Sequence, residues 1–431
     1  MTNKNLLILA PYFFPYENPR SRRVLKVVET LDEAGFYIHI VCSKVAQKPP
    51  QLSERVSIYP VGFNAPKERF FQPEKANKSQ DRSTSSRPWM TKLKQINNLV
   101  LKSIYWPDDS FTWVKDSYVK AEEIVQKYNI NAVLSFSLPF ASILTGLKLK
   151  RNHPNLNWIT DIGDPLHFQV DNPMNNSWLY NNKNRQVEQQ ALMSADLNIV
   201  TNQGLREKYI SELQIPKNKL TVVGPFNQIG QRVLKSKKTE SVHLLFMGSF
   251  YPKIRRAQVL LQYLENLVLK SPNIQYLITL AGNLNHSDTK LFKNSPLIGK
   301  ITQLKPYQDI MNSQKLIQEA DFLINLNNTT SFQLPSKCAD YLSSGLPIIN
   351  ITQHTDDPSI IYFKNYPLCF HVTSKINTKE LVQFIRTNKG QLASEQTIES
   401  CLEESNPEYY KALIEDLLKH ESKSQSSRKD V

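Results

Sequence analysis

One stretch in the last third of the chain has residue types that could bind an anion. It runs from Leu334 to Ile351 and reads LPSKCADYLSSGLPIINI. The residues from 322 to 326 before it are apolar enough for a buried strand, and apolar residues recur at helical spacing after Ser336. Gly345 is typical of a helix end. The pattern predicts a strand that leads through a loop into a helix, with Pro335 and Ser336 at its start.

The start of this helix could hold a phosphate group. Backbone N–H groups there have no partner within the helix, and the helix dipole makes this end positive. Lys337 adds a full positive charge, and Asp340 lies one turn on, where a carboxylate could accept hydrogen bonds from a sugar diol. The alternative is an ordinary helix–strand unit in which Ser336 is a capping residue and Lys337 and Asp340 are solvated.

Two further carboxylates follow an apolar strand in the first half of the chain, within NWITDIGDPL. Asp161 and Asp164 stand at its carboxyl end, which is where open α/β sheets bind ligands. A carboxylate there could orient an acceptor hydroxyl or act as its base. The alternative is that Asp164 only shapes the turn before Pro165.

The surrounding elements predict an α/β fold with two parallel sheets. The first array begins with a strand from Leu6 to Ala10, a helix from about Ser21 to Ala34 and a strand from Tyr37 to Val41. A later helix of this array is predicted from about Asn184 to Ser194. A second array begins with a strand at Val242, after a polar, unpatterned segment that we read as the domain boundary. Further strands are predicted there at Tyr276–Ala281, Ile348–Ile351 and Cys369–Val372. The first turn carries no GxGxxG, which argues against a nicotinamide enzyme.

Composition sets limits on the class of protein. The chain has 431 residues, enough for two domains, and no run reaches the roughly 18 apolar residues that span a bilayer. Its four cysteines, Cys42, Cys338, Cys369 and Cys401, have no metal-ligand spacing, as expected for reduced residues of a cytoplasmic protein.

The formal net charge of +14 calls for an anionic partner. Nucleotide, anionic lipid and nucleic acid all satisfy this, but the chain has no recognised nucleic-acid motif or aromatic stacking platform, so we expect no nucleic acid. A basic insertion at about residues 63–103 could lie on an anionic membrane surface; the alternative is a loop and helix packed on its own domain.

The stretch around Lys337 is similar to the "PSK…EY…G.P" signature of retaining glycosyltransferases of family 4, which have the GT-B fold. Other matches are spread along nearly the whole chain. They are Pro107, Asp108, Trp113, Ser137, Pro139, Asp161, Asp164 and Pro165.

The resemblance implies roles for particular residues. The helix start at Pro335 and Ser336 would hold the donor diphosphate, and Asp340 the ribose hydroxyls. Gly248 would follow the strand next to the donor. The cation that neutralises the diphosphate would be Arg255, with Arg256 as its competitor. Arg23 would be the arginine of the first loop. The catalytic residues would be Asp164, Arg255 and Lys337.

The resemblance also implies an architecture of two Rossmann-like domains whose parallel sheets face each other across a cleft. Residues 1–226 would be the acceptor domain and 241–395 the donor domain. A C-terminal helix at 396–420 would cross back, and 421–431 would form a polar tail.

The implied activity is retaining sugar transfer from a UDP- or GDP-linked sugar to a hydroxyl of a polysaccharide or lipid-linked glycan. The nucleotide sugar is a co-substrate, and no other cofactor is expected. The chain contains no Asp-x-Asp, which argues against a metal-bridged diphosphate, so we expect no metal. The enzyme would lie in the cytoplasm, peripheral at the inner membrane face.

Three departures from the family pattern keep alternatives open. Pro19 stands where the family has glycine, Ser249 where it has arginine, and Phe332 where it has a glutamate that binds the donor sugar. A phenylalanine cannot accept hydrogen bonds from sugar hydroxyls, so Asn327, Asn328 or Gln333 would have to make that contact. The alternatives are a catalytically degenerate nucleotide-binding module and a nucleotide-sugar epimerase of the same fold.

Overall fold

The structure, a computed structural model, consists of two compact units. Contacts group Met1–Val200, Tyr209–Thr221 and Tyr410–Val431 into the first unit, and Thr201–Lys208 with Val222–Tyr409 into the second. The residues that it describes are 4–14, 18–44, 52–62, 100–227, 240–282, 284–297, 302–306, 310–373 and 378–426.

The first unit is built on a seven-stranded parallel sheet with the order β3-β2-β1-β4-β5-β6-β7. Every residue of β4 and β5 is buried, as expected for a parallel sheet covered on both faces. Its strands are β1 (Asn5–Leu9), β2 (Tyr37–Ser43), β3 (Val56–Val61), β4 (Ala132–Phe136), β5 (Asn157–Ile162), β6 (Leu197–Val200) and β7 (Leu220–Val222). The helices are α1 (Pro19–Glu33), α2 (Trp113–Tyr128), α3 (Ala141–Asn152), α4 (Ser177–Ser194) and, from Tyr209 onward, α5 (Gln203–Leu213).

The second unit is built on a six-stranded parallel sheet with the order β10-β9-β8-β11-β12-β13. Its strands are β8 (Val242–Met247), β9 (Tyr276–Ala281), β10 (Thr302–Lys305), β11 (Phe322–Leu326), β12 (Ile348–Ile351) and β13 (Cys369–Val372). The helices are α6 (Ala257–Lys270), α7 (His286–Lys293), α8 (Ile310–Glu319), α9 (Lys337–Ser344), α10 (Pro358–Tyr362), α11 (Thr378–Asn388) and α12 (Glu395–Cys401). The last helix, α13 (Pro407–Ser426), is grouped with the first unit from Tyr410 onward.

Each sheet has one point where its strand order reverses. In the first sheet β2 and β3 extend from one side of β1, and β4 to β7 extend from its other side, so the order reverses between β1 and β4. In the second sheet the order reverses between β8 and β11. The loops that follow such strands diverge and leave a crevice at the carboxyl edge of the sheet. The loops after β8 and β11 therefore matter most for function in the second unit.

The structure confirms the predicted α/β class with two parallel sheets. That the sheets face each other across a cleft stays a prediction. Most predicted strands agree with the observed ones to within one or two residues, but α4 begins at Ser177 instead of Asn184, and α13 continues to Ser426, past the predicted start of the polar tail. The extra turns of α4 escaped prediction because their large apolar residues, Trp178 and Leu179, are exposed and form no buried stripe.

Part of the predicted basic insertion, residues 63–99, lies outside the described residues. Residues 100–104, at its end, are helical. Within the described ranges, no helix has both the length and the apolar composition to cross a membrane.

Candidate functional site

The strongest candidate site lies at the reversal point of the second sheet, where the loops after β8 and β11 leave neighbouring strands. Gly248 directly follows β8, and its loop continues through Arg255 into α6. The loop after β11 leads to Ser336 and α9. The predicted donor-binding residues therefore come from two loops that the strand order places side by side. Arg255 of one loop and Asn328 of the other are 73 positions apart in the chain.

The start of α9 is not capped by its own serine. Ser336 has helical backbone angles, φ −61° and ψ −24°, and its side chain makes no capping hydrogen bond. This differs from the alternative in which Ser336 serves as an ordinary capping side chain. Pro335 is buried just before it, and Gly345 ends the helix in the left-handed region at φ +71°. The Cys338 N–H donates to the Pro335 carbonyl oxygen at 3.1 Å, and the Ser336 side chain does not occupy the other N–H groups of the first turn, which an anion could bind.

Lys337 and Asp340 lie in this first turn and form an ion pair, with 3.2 Å between Lys337 Nζ and Asp340 Oδ2. The side chain of Asp340 is 2% exposed and that of Lys337 is 34% exposed. Asp340 is thus more enclosed than a solvated surface residue would be. Any ligand that uses both residues would have to exchange this ion pair for contacts to itself.

Tyr341, the residue after Asp340, anchors α9 to the end of β8 through two hydrogen bonds. The backbone N–H of Met247 donates to Tyr341 Oη at 3.0 Å, and the Tyr341 hydroxyl donates to the Met247 carbonyl oxygen at 3.3 Å. Both bonds are buried and lie next to Gly248. The helix start and Gly248 are therefore held together at the same edge of the sheet.

The two candidate arginines of the β8 loop occupy different environments. Arg255 Nε donates to Asn328 Oδ1 at 3.0 Å, and its guanidinium lies 5.6 Å from the centre of the Tyr251 ring. Burial lowers the pKa of the Arg255 guanidinium, so this desolvated cation would gain from an anion beside it. Arg256, at the start of α6, is exposed. Of the two predicted competitors, only Arg255 contacts Asn328 and Tyr251, and its Nη1 would lie 3.8 Å from a Cβ at Gly248.

The proposed substitutes for the sugar-binding glutamate already have partners within the protein. Phe332 is 5% exposed and packs in the interior. Asn327 donates to Asn350 Oδ1 at 2.8 Å, and Asn328 Nδ2 donates to the Gln333 carbonyl oxygen at 3.2 Å. The Gln333 side chain accepts from the Thr330 hydroxyl at 3.0 Å. A contact from any of them to a sugar would require an exchange of partners.

In the first unit, Asp161 is enclosed by two arginines of α1. Arg20 Nη1 lies 2.5 Å from Asp161 Oδ1, and Arg23 Nε lies 2.9 Å from Asp161 Oδ2. Burial opposes ionisation of this carboxyl group, but the two guanidiniums outweigh it and hold its pKa below the usual value. The Arg23 guanidinium also lies 5.6 Å from the centre of the Tyr410 ring. The structure thus brings together two separately predicted candidates, Arg23 and Asp161, in a buried ion cluster at the carboxyl end of β5.

Asp164, three residues on, lies half-buried in a loop that a buried glutamate holds in place. Glu188 on α4 is 0% exposed and accepts the backbone N–H groups of Leu166 and His167, each at 2.8 Å. Its Oε1 also accepts the Tyr209 hydroxyl at 2.8 Å. Burial raises the pKa of Glu188 to about 7, although all three hydrogen bonds favour the carboxylate. Glu188 is therefore the residue that positions the loop of Asp164.

This environment predicts a pH-dependent effect for Glu188→Gln. Because the folded-state pKa of Glu188 is raised, its contribution to stability is full below the ordinary carboxyl pKa and declines as pH rises toward 7. A glutamine side chain at this position does not titrate. Its NH2 group would, however, face one of the backbone N–H groups that Glu188 accepts, and two donors cannot bond to each other. We expect the free energy of unfolding of the variant to be lower than that of wild type at pH 5. This difference in free energy should shrink by about 3 kcal/mol or less by pH 8.

Urea unfolding of both proteins at the two pH values measures this difference. Glu207→Gln, which alters an exposed acid on α5, is the control and should show no such pH dependence. A difference between wild type and Glu188→Gln that stays constant from pH 5 to pH 8 would contradict a raised pKa.

Sequence reasoning missed two residues of these sites as functional candidates. Arg20 lies three residues before Arg23 on α1, and this helical spacing already places both on one face. Glu188 gives a weaker signal, a single acid between the apolar positions Val187 and Ala191, and nothing local identifies the loop that it holds.

No protein-family profile matches this sequence, and no curated protein matches it significantly. Solved structures do match. Sucrose-phosphate synthase from Thermosynechococcus elongatus is 13% identical with a TM-score of 0.63, covering 98% of this chain and 100% of that one. The catalytic domain of starch synthase IV from Arabidopsis thaliana, bound to ADP and acarbose, is 10% identical with a TM-score of 0.60, covering 97% and 99%.

A protein described as a UDP-N-acetylglucosamine 2-epimerase from Listeria monocytogenes is less similar. Its identity is 10% and its TM-score 0.51, with 94% of this chain and 92% of that one covered. At such identities the likeness concerns the fold alone. The chain has the GT-B fold, with two parallel-sheet α/β units that match those of glycosyltransferase structures.

Proposed function

We propose that this protein is a retaining glycosyltransferase of family 4 type that uses a nucleotide-diphosphate sugar as donor. The observation that carries the proposal is the cluster at the reversal point of the second sheet. There the start of α9, which bears Lys337, is anchored next to Gly248 through Tyr341, and a Cβ at Gly248 would lie 3.8 Å from Nη1 of the half-buried Arg255. A diphosphate is the ligand whose charge and size suit such a group of donors and cations.

The chemistry assigned to these residues is electrostatic. As the bond between the sugar and the diphosphate breaks, negative charge grows on the leaving phosphate oxygen. Lys337, Arg255 and the N–H groups of the α9 start stabilise that charge, and no proton transfer is needed for this. Asp340 accepts from the ribose hydroxyls after Lys337 has turned from it to the phosphate. Gly248 allows the donor to approach the backbone closely, and Pro335 and Ser336 lead into the helix start whose N–H groups bind the diphosphate.

On the acceptor side, Asp164 is the proposed group that orients or deprotonates the attacking hydroxyl. Its loop is fixed by Glu188, which suits a residue that must be positioned accurately. Arg23 and Asp161 form a buried ion pair beside this loop, and Arg20 of the same cluster donates to the Ser137 carbonyl oxygen at 2.8 Å. We assign the acceptor role to residues 1–226 and the donor role to residues 241–395, with transfer independent of a bound metal.

The acceptor belongs to the same proposal, as a hydroxyl of a polysaccharide or a lipid-linked glycan. The high positive charge is consistent with a place in the cytoplasm at the inner membrane face. An epimerase of this fold is the second candidate, supported by the Listeria structure at its lower TM-score. A degenerate module that binds a nucleotide without catalysis is the third.

A donor panel separates these candidates. Calorimetry with UDP, GDP and ADP identifies the nucleotide, and each matching sugar nucleotide is then incubated with the protein, with and without glycan acceptors. We expect transfer to an acceptor with the anomeric configuration retained. Isomerised donor without acceptor would indicate the epimerase, nucleotide binding without turnover the degenerate module, and no nucleotide binding at all would contradict the proposal.

A further inference from the structure

Three loops of the second unit meet at one side chain, Gln353, which follows β12. Its Nε2 donates to the Asn327 carbonyl oxygen at 2.7 Å, in the loop after β11, and to the Ile254 carbonyl oxygen at 3.3 Å, in the loop after β8. Because both neighbours are acceptors, only the NH2 group of the amide can face them. Gln353 therefore bridges the two loops that carry the candidate donor-binding residues.

The backbone on both sides of this bridge is anchored to the sheet. The Thr352 N–H donates to the Val372 carbonyl oxygen at 2.9 Å, and the Thr352 hydroxyl donates to the same oxygen at 3.2 Å. The Asn327 N–H donates to the Ile351 carbonyl oxygen at 3.1 Å. Since Ile351 and Val372 are the last residues of β12 and β13, the bridge starts from a rigid part of the unit.

On the β8 side the bridge ends on a tight turn that contains Arg255. The Tyr251 N–H donates to the Arg255 carbonyl oxygen at 2.8 Å, and the Arg255 N–H donates back to the Tyr251 carbonyl oxygen at 2.7 Å. Ile254 lies within this turn, and its carbonyl oxygen also accepts the Thr329 N–H at 2.7 Å. Gln353 and Thr329 thus hold the turn against the loop after β11 through the same oxygen atom.

The bridge acts at the place where the Arg255 guanidinium is oriented. Arg255 Nε donates to Asn328 Oδ1, and Asn328 is the residue after the one whose carbonyl Gln353 holds. Within the part of the chain that the structure describes, Nε alone of the three guanidinium nitrogens makes a hydrogen bond, which leaves Nη1 and Nη2 for a ligand. A shift of about 1 Å in a group of this kind can cost a large part of its effect on the rate.

We propose that Gln353 is a positioning residue, which holds the turn at 251–255 so that Arg255 meets the leaving phosphate. The inference rests on the proposed function, and it adds a residue from a third loop that does not itself touch the donor. The two N–H bonds of the Gln353 amide do this by joining the β8 loop to the β11 loop. Bonds that served stability alone would have no particular link to Arg255, and the test depends on this difference.

The test compares full-length wild type with Gln353→Met, which keeps the length of the side chain but removes both donors. We expect the turnover number to fall about tenfold and the donor KM to change less than about twofold, because the phosphate charge grows in the transition state. In an Arg255→Ala background the same substitution should cost nothing further, since the group that it positions is gone. Gln383→Met removes an amide that donates to Thr387 on α11, and this control should keep wild-type turnover.

A second measurement needs neither donor nor acceptor. Heteronuclear NMR of the arginine Nε–H groups follows Arg255 directly, and its signal is the one that Arg255→Lys lacks. In wild type we expect the Arg255 Nε–H to exchange with water about tenfold or more slowly compared with that of the exposed Arg256. Gln353→Met should remove most of this difference, while Gln383→Met should leave it unchanged.

Three results would each overturn the proposal. They are a turnover number in Gln353→Met equal to that of Gln383→Met, an equal loss of turnover in the wild-type and Arg255→Ala backgrounds, and an Arg255 Nε–H that exchanges as fast as that of Arg256. If melting curves show Gln353→Met unfolded, Gln353→Asn replaces it, because its shorter amide cannot reach both carbonyl oxygens. Failure of the glycosyltransferase proposal would appear as wild type that binds no nucleotide, and the NMR comparison would still decide the role of Gln353.

Discussion

Replacing Lys337 with alanine should lower the turnover number for sugar transfer about a hundredfold or more. The lysine lies at the start of α9, where the proposed diphosphate leaves, and a positive charge that meets the leaving group at such a position commonly contributes this much to the rate. Because the charge on the leaving group grows in the transition state, we expect the loss mainly in kcat and less in the donor KM. Steady-state kinetics with the donor found by the panel measures both.

Two further variants make this prediction specific. Lys337→Arg keeps the charge and should retain more activity than Lys337→Ala, while Lys364→Ala removes an exposed lysine elsewhere in the second unit and should leave turnover unchanged. Melting curves should show all three proteins folded. If Lys337→Ala has the turnover number and the donor affinity of wild type, Lys337 has no role in the mechanism.

Gly282→Ala should have the largest effect on stability. A Cβ at this position would lie 1.9 Å from the carbonyl oxygen of Gly248 and 2.7 Å from its carbonyl carbon. Both atoms belong to the backbone that follows β8, and they cannot move aside as a flexible side chain could. We expect a loss of at least about 3 kcal/mol in the free energy of unfolding of the second unit, and a fall in its melting temperature on the order of 10 °C.

Gly248→Ala provides the matched control for stability, since its Cβ would meet Phe246 Cζ at 3.4 Å, an ordinary contact. Calorimetry of the two variants should therefore show a large shift for Gly282→Ala and a small one for Gly248→Ala. Because the clash falls on Gly248, any Gly282→Ala protein that folds should also bind nucleotide more weakly. Equal melting temperatures for the two variants would show that the two backbone segments can separate at little cost.

Local chemistry in the sequence was enough to predict the elements and the class of fold. The strands β8, β9, β11, β12 and β13 have the predicted limits to within a residue, because continuous apolar runs mark strands that are buried on both faces. Gly345 was predicted to end α9, since a left-handed backbone there favours glycine. The same rules failed at the start of α4, where exposed Trp178 and Leu179 remove the buried stripe on which helix prediction depends.

Local patterns also could not show which side chains meet. Arg255 and Asn328 are 73 residues apart, and Arg23 and Asp161 are 138 apart. Their partners were decided by the order of strands in each sheet, which brings the loops after β8 and β11 together and sets α1 against the end of β5. Likewise, the burial of Glu188 under the loop of Asp164 follows from the packing of α4.

The sequence by itself therefore determined where strands and helices form and which residue types lie at the start of α9. A residue's own backbone preference and the spacing of apolar neighbours decide those features within a few turns of chain. Only the tertiary structure decided that Arg255 binds Asn328 in the loop after β11 while Arg256 stays exposed, and that Asp340 is enclosed. Those outcomes depend on strand order, and strand order is set by contacts between residues far apart in the chain.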